Sequence, residues 1–133
     1  MRQRSLKILF LPALLGVQIA TADEGLYTQA QARRALPVYL KQCSSCHGES
    51  FHGGESSPAL VGPDFIARWN GRPLSDLFAK IRLMPPNDPG RISGEQTSDV
   101  MAAILHANRL PAGEHELPFD EAQLSAMRIE TPQ

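Results

Sequence analysis

After position 22 the sequence lacks a basic block, a long hydrophobic run and any useful length of alternating polar and apolar residues. The missing basic block argues against nucleic acid as a partner. The missing alternation argues against strands, so the predicted class is all-α with long loops. Aromatic residues make up only 6% of the chain. A small domain with so few large apolar side chains can bury only a limited apolar surface, and a large buried cofactor would add to it.

Residues 1–22 have the layout of a secretory signal peptide. The segment starts with MRQRSLK, continues through the apolar run LKILFLPALLGVQIA and ends in the small-x-small pattern ATA at 20–22. A membrane anchor is the alternative, but the run is short for a span, and Pro12 and Gln18 interrupt it. We expect cleavage after Ala22 and a soluble mature protein in the periplasm.

Residues 23–133 are expected to form one domain, because this segment is long enough for one domain and too short for two. The leader contains three of the thirteen basic residues and none of the fourteen acidic ones. Ten basic residues against fourteen acidic ones give the mature chain a formal charge of −4.

Apolar spacing predicts about four to five short helices with long loops between them. Pro37 lies inside the first pattern and predicts a kink or a late helix start. Ser93 and Gln96 form a capping box, and Asp120 is a candidate N-cap. Glycine and proline content predicts loops at 47–62 and at MPPNDPG, 84–90. The predicted helices are 28–42, 63–69, 73–82, 94–108 and 120–127.

Residues 43–47 read CSSCH and contain both cysteines of the chain. A disulfide between Cys43 and Cys46 would close a very small loop and constrain the unfolded chain little. A thioredoxin-like pair needs a βαβ context, which is missing here. Zinc would need two further ligands, and the remaining histidines form no H-x₃₋₅-H pair.

The remaining interpretation of C-x-x-C-H is the attachment of one c-type haem. Thiols about one helical turn apart can each add to one haem vinyl group. The residue that follows, His47, then lies under the ring and binds the iron.

The second axial position of the iron needs a donor from a distant segment, and Met84 is the candidate. It follows a predicted helix and opens a proline-rich loop, which is stiff and can hold a thioether in place. An ordinary loop methionine is the alternative for Met84. Met101 lies within an apolar helix face and Met127 near the tail, so core packing is expected for both.

The other histidines are weaker candidates for this position. His52 is close to His47 in sequence and starts on the wrong side of the ring. His106 is expected at the surface of a helix or at the haem edge, and His115 in a polar, solvated loop.

Motifs over nearly the whole mature length resemble those of class I monohaem cytochromes c. They are YLKQCSSCHG at 39–48, PALVG at 58–62, FIARW at 65–69, DLFAKI at 76–81, MPP at 84–86 and ILHAN at 104–108. The run from PGRISGEQ to HANRLPAGEHEL, 89–117, is similar to that of small periplasmic cytochromes associated with quinoprotein (PQQ-type) dehydrogenases.

The resemblance implies a role for each matching position. A core role for Trp69 and a solvated position for Arg72 are the alternatives to haem contacts. The implied roles are thioether bonds for Cys43 and Cys46, proximal and distal iron ligation by His47 and Met84, a carbonyl acceptor for the His47 N–H at Pro58, packing on the haem face by Leu60, and propionate contacts by Trp69 and Arg72.

The sequence departs from the family pattern at two places. The family often has glycine near Arg34-Ala35, where the first helix crosses the last one, so the crossing here is expected to be wider or shifted. Arg109 stands where relatives often have glycine, which puts the C-cap geometry of that helix in question.

A His–Met pair would leave the iron without an open position, so the expected function is electron transfer and not catalysis. The expected partners are redox proteins, with a dehydrogenase as donor and a cytochrome or oxidase as acceptor. A tightly bound haem subunit of a dehydrogenase complex and a ligand-binding or sensor haem protein are the alternatives.

Overall fold

The computed structural model describes residues 25–131, and the predicted signal peptide lies outside them. This part of the chain contains helices, loops and one isolated bridge between Pro73 and Arg128, and no strand. The all-α class is therefore confirmed. The helices are α1 (Gln29–Arg34), α2 (Leu36–Gln42), α3 (Ser44–His47), α4 (Pro63–Trp69), α5 (Leu74–Arg82), α6 (Gly94–Ala107) and α7 (Glu121–Ser125).

The number of helical segments is higher than expected because the first predicted helix is divided. Ala35 ends α1 and precedes α2, and Pro37 lies in the first turn of α2. Proline is tolerated there because the first N–H groups of a helix have no intrahelical partner. The kink predicted from Pro37 is thus present as a break between two helices. The one-turn helix α3 was not predicted separately.

The core forms around α6, which packs against α1, α2 and α5. Val100, Met101, Ile104 and Leu105 of α6 are almost fully buried. Ser93 and Gln96 form the predicted capping box. Ala35, between α1 and α2, is also fully buried.

The end of α6 answers the question raised by Arg109. The Leu110 N–H donates to the Leu105 carbonyl at 3.1 Å, and the Arg109 N–H donates to the His106 carbonyl at 2.9 Å. This pattern is a Schellman motif, in which the residue at the Arg109 position usually is glycine. Arg109 adopts the left-handed conformation with φ 62°. α6 therefore ends in a Schellman motif that has Arg109 at the position where glycine is usual.

The loop after α6 is tied to α1 by polar contacts, some buried and some exposed. The Gln31 side-chain amide donates to the Leu117 carbonyl at 3.1 Å and accepts from the Leu117 N–H at 2.8 Å. Arg34 makes ion pairs with Asp99 of α6 and Glu116 of the loop at 2.7 and 2.8 Å. These contacts connect α1, α6 and the loop after α6.

Within residues 25–131, no helix is both long and apolar enough to cross a membrane.

Candidate haem-attachment site

The two cysteines lie at the start and in the last turn of α3. Cys43 is the residue before the helix, is half-buried and packs against the edge of the apolar core. Cys46 is exposed, and both are free thiols. Burial raises the pKa of the Cys43 thiol. The segment therefore offers one sheltered and one accessible thiol about a helical turn apart.

His47 ends α3, and its ring is oriented by a backbone contact. The Nδ1 atom lies 2.8 Å from the carbonyl oxygen of Pro58. A carbonyl can only accept, so Nδ1 carries the proton and donates it. The neutral ring then has its lone pair on Nε2, which is the atom available to a metal. This is the contact that the family resemblance implies for Pro58.

The loop after α3 folds back onto the CSSCH segment through close backbone contacts. The Gly53 N–H donates to the His47 carbonyl at 2.8 Å, and the Gly54 N–H to the Ser57 carbonyl at 3.0 Å. A Cβ atom on Gly54 would lie 2.8 Å from the Cys46 carbonyl oxygen. Gly53 has φ 82°, and a Cβ there would lie 2.7 Å from the Ala59 nitrogen. Both positions therefore need glycine.

Tyr39 and Phe51 support the loop from the side of α2. Their rings stack with centroids 4.0 Å apart, and the Tyr39 hydroxyl donates to the Gly48 carbonyl at 2.7 Å. Phe51 has φ 67°, and its carbonyl accepts from the Leu60 N–H at 2.7 Å. Burial and, to a lesser degree, the nearby Cys43 thiol raise the pKa of Tyr39 to about 12, so its hydroxyl remains a donor at neutral pH.

Met84 lies in a different segment, directly after α5, and is half-buried. Its N–H donates to the Ile81 carbonyl at 2.9 Å, and the Met84–Pro85 peptide bond is cis. The loop is closed by the Gly90 N–H, which donates to the Arg82 carbonyl at 2.9 Å. The predicted loop is therefore held at its ends.

Trp69 and Arg72 are brought together at a separate surface groove of about 440 Å³. The Arg72 guanidinium lies 4.6 Å from the Trp69 ring centroid and is paired with Asp76 at 2.9 Å. Trp69 itself is buried. The lining residues are Arg68, Trp69, Arg72, Asp76, Ala79, Lys80 and Leu83, and neither the thiols nor His47 line this groove.

The remaining candidates for an iron ligand have other surroundings. Met101 is fully buried in the core, as expected, and Met127 is half-buried against it. His52 is exposed and contacts Ser50, and His115 is exposed. His106 is exposed and its Nδ1 atom lies 3.2 Å from the Tyr27 hydroxyl oxygen.

The donor set at CSSCH fits a covalently bound haem. It consists of two free thiols and an imidazole whose Nδ1 proton is already held, so Nε2 is free for iron. The half-buried apolar residues Leu60, Val61 and Ile66 lie at the edge of the core. Residues 25–131 contain no group of three or more His, Cys, Asp and Glu side chains that could hold a metal ion, but a haem iron takes only two axial ligands.

Two residues near the site were not predicted to take part, Phe51 and Asn108. The Asn108 side chain contacts the backbone of Leu60 and Gly62, which belong to a distant part of the sequence. Its position within the motif ILHAN was the only available signal.

Comparisons with known proteins bear on the fold. No family model matches the chain, and no curated protein matches it. The fold is similar to that of a chain in the crystal structure of the sulfane dehydrogenase SoxCD from Paracoccus pantotrophus, with 22% sequence identity and a TM-score of 0.54. The match covers 77% of this chain and 53% of that chain. The chain thus corresponds to about half the length of this structural neighbour, and the likeness concerns the fold.

Proposed function

We propose that the protein is a periplasmic c-type cytochrome that carries single electrons from a dehydrogenase to a downstream cytochrome or oxidase. The observation that carries the proposal is the 2.8 Å contact between His47 Nδ1 and the Pro58 carbonyl. This contact occupies Nδ1 and leaves Nε2 as the free nitrogen, in the residue directly after the second of two free thiols. Such an orienting bond is typical of metal-binding histidines.

Four residues are proposed to bind the haem and its iron. Cys43 and Cys46 would bind it covalently, and His47 would supply a nitrogen ligand to the iron. Met84, in the stiff loop after α5, would supply a thioether ligand. When bound, the haem supplies one-electron chemistry by cycling between Fe(II) and Fe(III). A thioether ligand favours Fe(II) and raises the potential.

If His47 and Met84 both bound the iron, substrate would have no access to the metal. The protein is then an electron carrier and not an enzyme. Leu60 contributes apolar packing, because it is half-buried at the edge of the core. Trp69 and Arg72 are proposed to face the propionates. Arg72 also pairs with Asp76, so a propionate contact would compete with that pair.

A second candidate function is that of a haem subunit bound within a dehydrogenase complex. The structural neighbour belongs to a sulfane dehydrogenase, which favours a redox complex as the setting. The motifs at 89–117 instead favour a quinoprotein dehydrogenase as the donor. Size-exclusion chromatography of a native extract separates a subunit from a free carrier, because a subunit elutes with a larger partner and a free carrier does not.

The proposal is tested by absorption spectroscopy of the purified exported protein. We expect a covalently bound haem and the long-wavelength ferric band that marks methionine–iron coordination. Met84→Ala should remove this band and allow CO to bind, whereas Met127→Ala, the same change at another half-buried methionine, should leave both properties unchanged.

The thiols are tested by mass spectrometry of the denatured protein. Cys43→Ala should lose one of the two thioether bonds and lower the yield of covalent haem. A wild-type protein that folds without haem and contains a Cys43–Cys46 disulfide would rule out the cytochrome function.

A further inference from the structure

Asn108, the residue after α6, uses its side-chain amide to join two distant segments. Nδ2 donates to the Leu60 carbonyl at 2.8 Å and to the Ile104 carbonyl at 2.9 Å. Oδ1 accepts from the Gly62 N–H at 3.0 Å. Both amide hydrogens are therefore used, and the group pairs with Leu60 and Gly62 much as a neighbouring backbone strand would.

The segment held in this way, residues 57–62, carries Pro58. On its inner side the Leu60 N–H donates to the Phe51 carbonyl at 2.7 Å, and the Ser57 carbonyl accepts from Gly54. These contacts tie the segment to its own loop. Asn108 ties it to α6, the helix at the centre of the core. The position of the Pro58 carbonyl relative to the core thus depends on the Asn108 amide.

We propose that Asn108 is a positioning residue for the proximal histidine. It holds segment 57–62 so that the Pro58 carbonyl stays 2.8 Å from His47 Nδ1. The inference rests on the proposed haem function. Asn108 touches neither the thiols nor His47 in the hydrogen-bond network, and it acts through the loop backbone.

The physical consequence concerns the electron density on the histidine ring. A short bond from Nδ1–H to a carbonyl makes the imidazole more basic and a stronger donor to iron. A stronger donor stabilises Fe(III) and lowers the midpoint potential. If segment 57–62 moves away, the ring donates less and the potential rises. Asn108 would therefore keep the midpoint potential of the haem lower than it would be with segment 57–62 displaced.

The test uses the haem-loaded protein and the variant Asn108→Ala. Two quantities are measured: solvent exchange of the His47 Nδ1–H by NMR, and the midpoint potential by redox titration. Exchange should become about tenfold faster, because the bonds that keep the loop closed are lost, and the potential should shift upward. Covalent haem and the methionine–iron band should remain.

Asn70→Ala is the matched control. Asn70 also follows a helix, α4, and its Oδ1 atom accepts from the Thr131 N–H at 3.1 Å. Loss of this contact should change neither quantity. Asn108→Gln retains the amide with its donors and its acceptor on a longer side chain, so it provides a milder change if the alanine variant does not fold. Its exchange rate should lie between those of wild type and alanine.

Two results would overturn the inference. One is a haem-loaded Asn108 variant with unchanged exchange and potential. The other is an equal change in Asn70→Ala, which would indicate general loosening. Absence of covalent haem from the wild-type protein would instead refute the proposed function, so the two failures are distinguishable.

Discussion

Arg34 binds two carboxylates that differ in burial, and their removal should have unequal effects on stability. The guanidinium donates two hydrogen bonds to Asp99, at 2.9 and 2.7 Å, and two to Glu116, at 2.8 and 3.0 Å. The Asp99 side chain is only 8% exposed, whereas Glu116 is 48% exposed. The hydrogen-bond distances in the two pairs are thus similar, and the pairs differ mainly in how far the carboxylate is exposed to solvent.

The expected magnitudes follow from this difference. Asp99→Asn should lower the free energy of unfolding by about 2 kcal/mol, because bonds to a buried charge are lost and an amide NH₂ group is placed against the Arg34 donors. Glu116→Gln should cost about 0.5 kcal/mol or less, because water screens an exposed pair. For a domain of this size, the larger value corresponds to a fall in melting temperature of about 9 °C.

The assay is urea unfolding of the haem-loaded protein at pH 7, followed by circular dichroism, with both variants and the double variant. The double variant should lose less than the sum of the two effects, because both changes act through Arg34. Equal losses in the two single variants would refute the reasoning, since burial would then not control the strength of the pair.

Three further predictions concern other parts of the fold. Arg109→Gly should raise the free energy of unfolding by about 0.5–1 kcal/mol in the same urea assay, because φ 62° strains an arginine; a loss of stability would contradict this. Phe51→Ala should lower it by about 3 kcal/mol, because the ring stacked on Tyr39 is removed, and a near-neutral result would show that the stack does not support the loop. Hydrogen bonds from Arg34 lower the pKa of Glu116 below its ordinary value. The pair therefore stabilises the fold above the ordinary pKa of glutamate, and this contribution is lost as the pH falls through the lowered pKa. The free energy of unfolding, measured against pH, should show this loss in the wild type and a smaller one in Glu116→Gln.

Local sequence patterns were sufficient to predict most helices. Pro37 marks the break between α1 and α2, and Ser93 with Gln96 marks the start of α6, because both act on backbone groups within a few residues. The ends are less accurate: the last predicted helix, 120–127, is Glu121–Ser125 in the structure. Helix ends depend on bonds such as that from the Leu74 N–H to the Met127 carbonyl.

The parts of the candidate site that were not predicted depend on long-range contacts. Gln31 and Asn108 are ordinary polar residues in the sequence, yet both satisfy backbone groups in distant segments, at Leu117 and Leu60 respectively. Nothing in local spacing distinguishes them from solvated amides. Phe51 was also missed, because a bulky residue seldom adopts a positive φ. Its stack on Tyr39 and the bond from the Leu60 N–H to its carbonyl are visible only in the structure. The haem roles themselves remain predictions.

The packing of α1 against α6 has a consequence for the order of events during synthesis. These two helices share the most extensive contact, yet α1 begins at Gln29 and α6 only at Gly94. Their association must close a long loop, so it cannot occur until most of the chain has been made. The CSSCH segment lies inside that loop and emerges early. A modifying enzyme would therefore have access to Cys43 and Cys46 while the chain is still open, before α6 completes the core against which Cys43 packs.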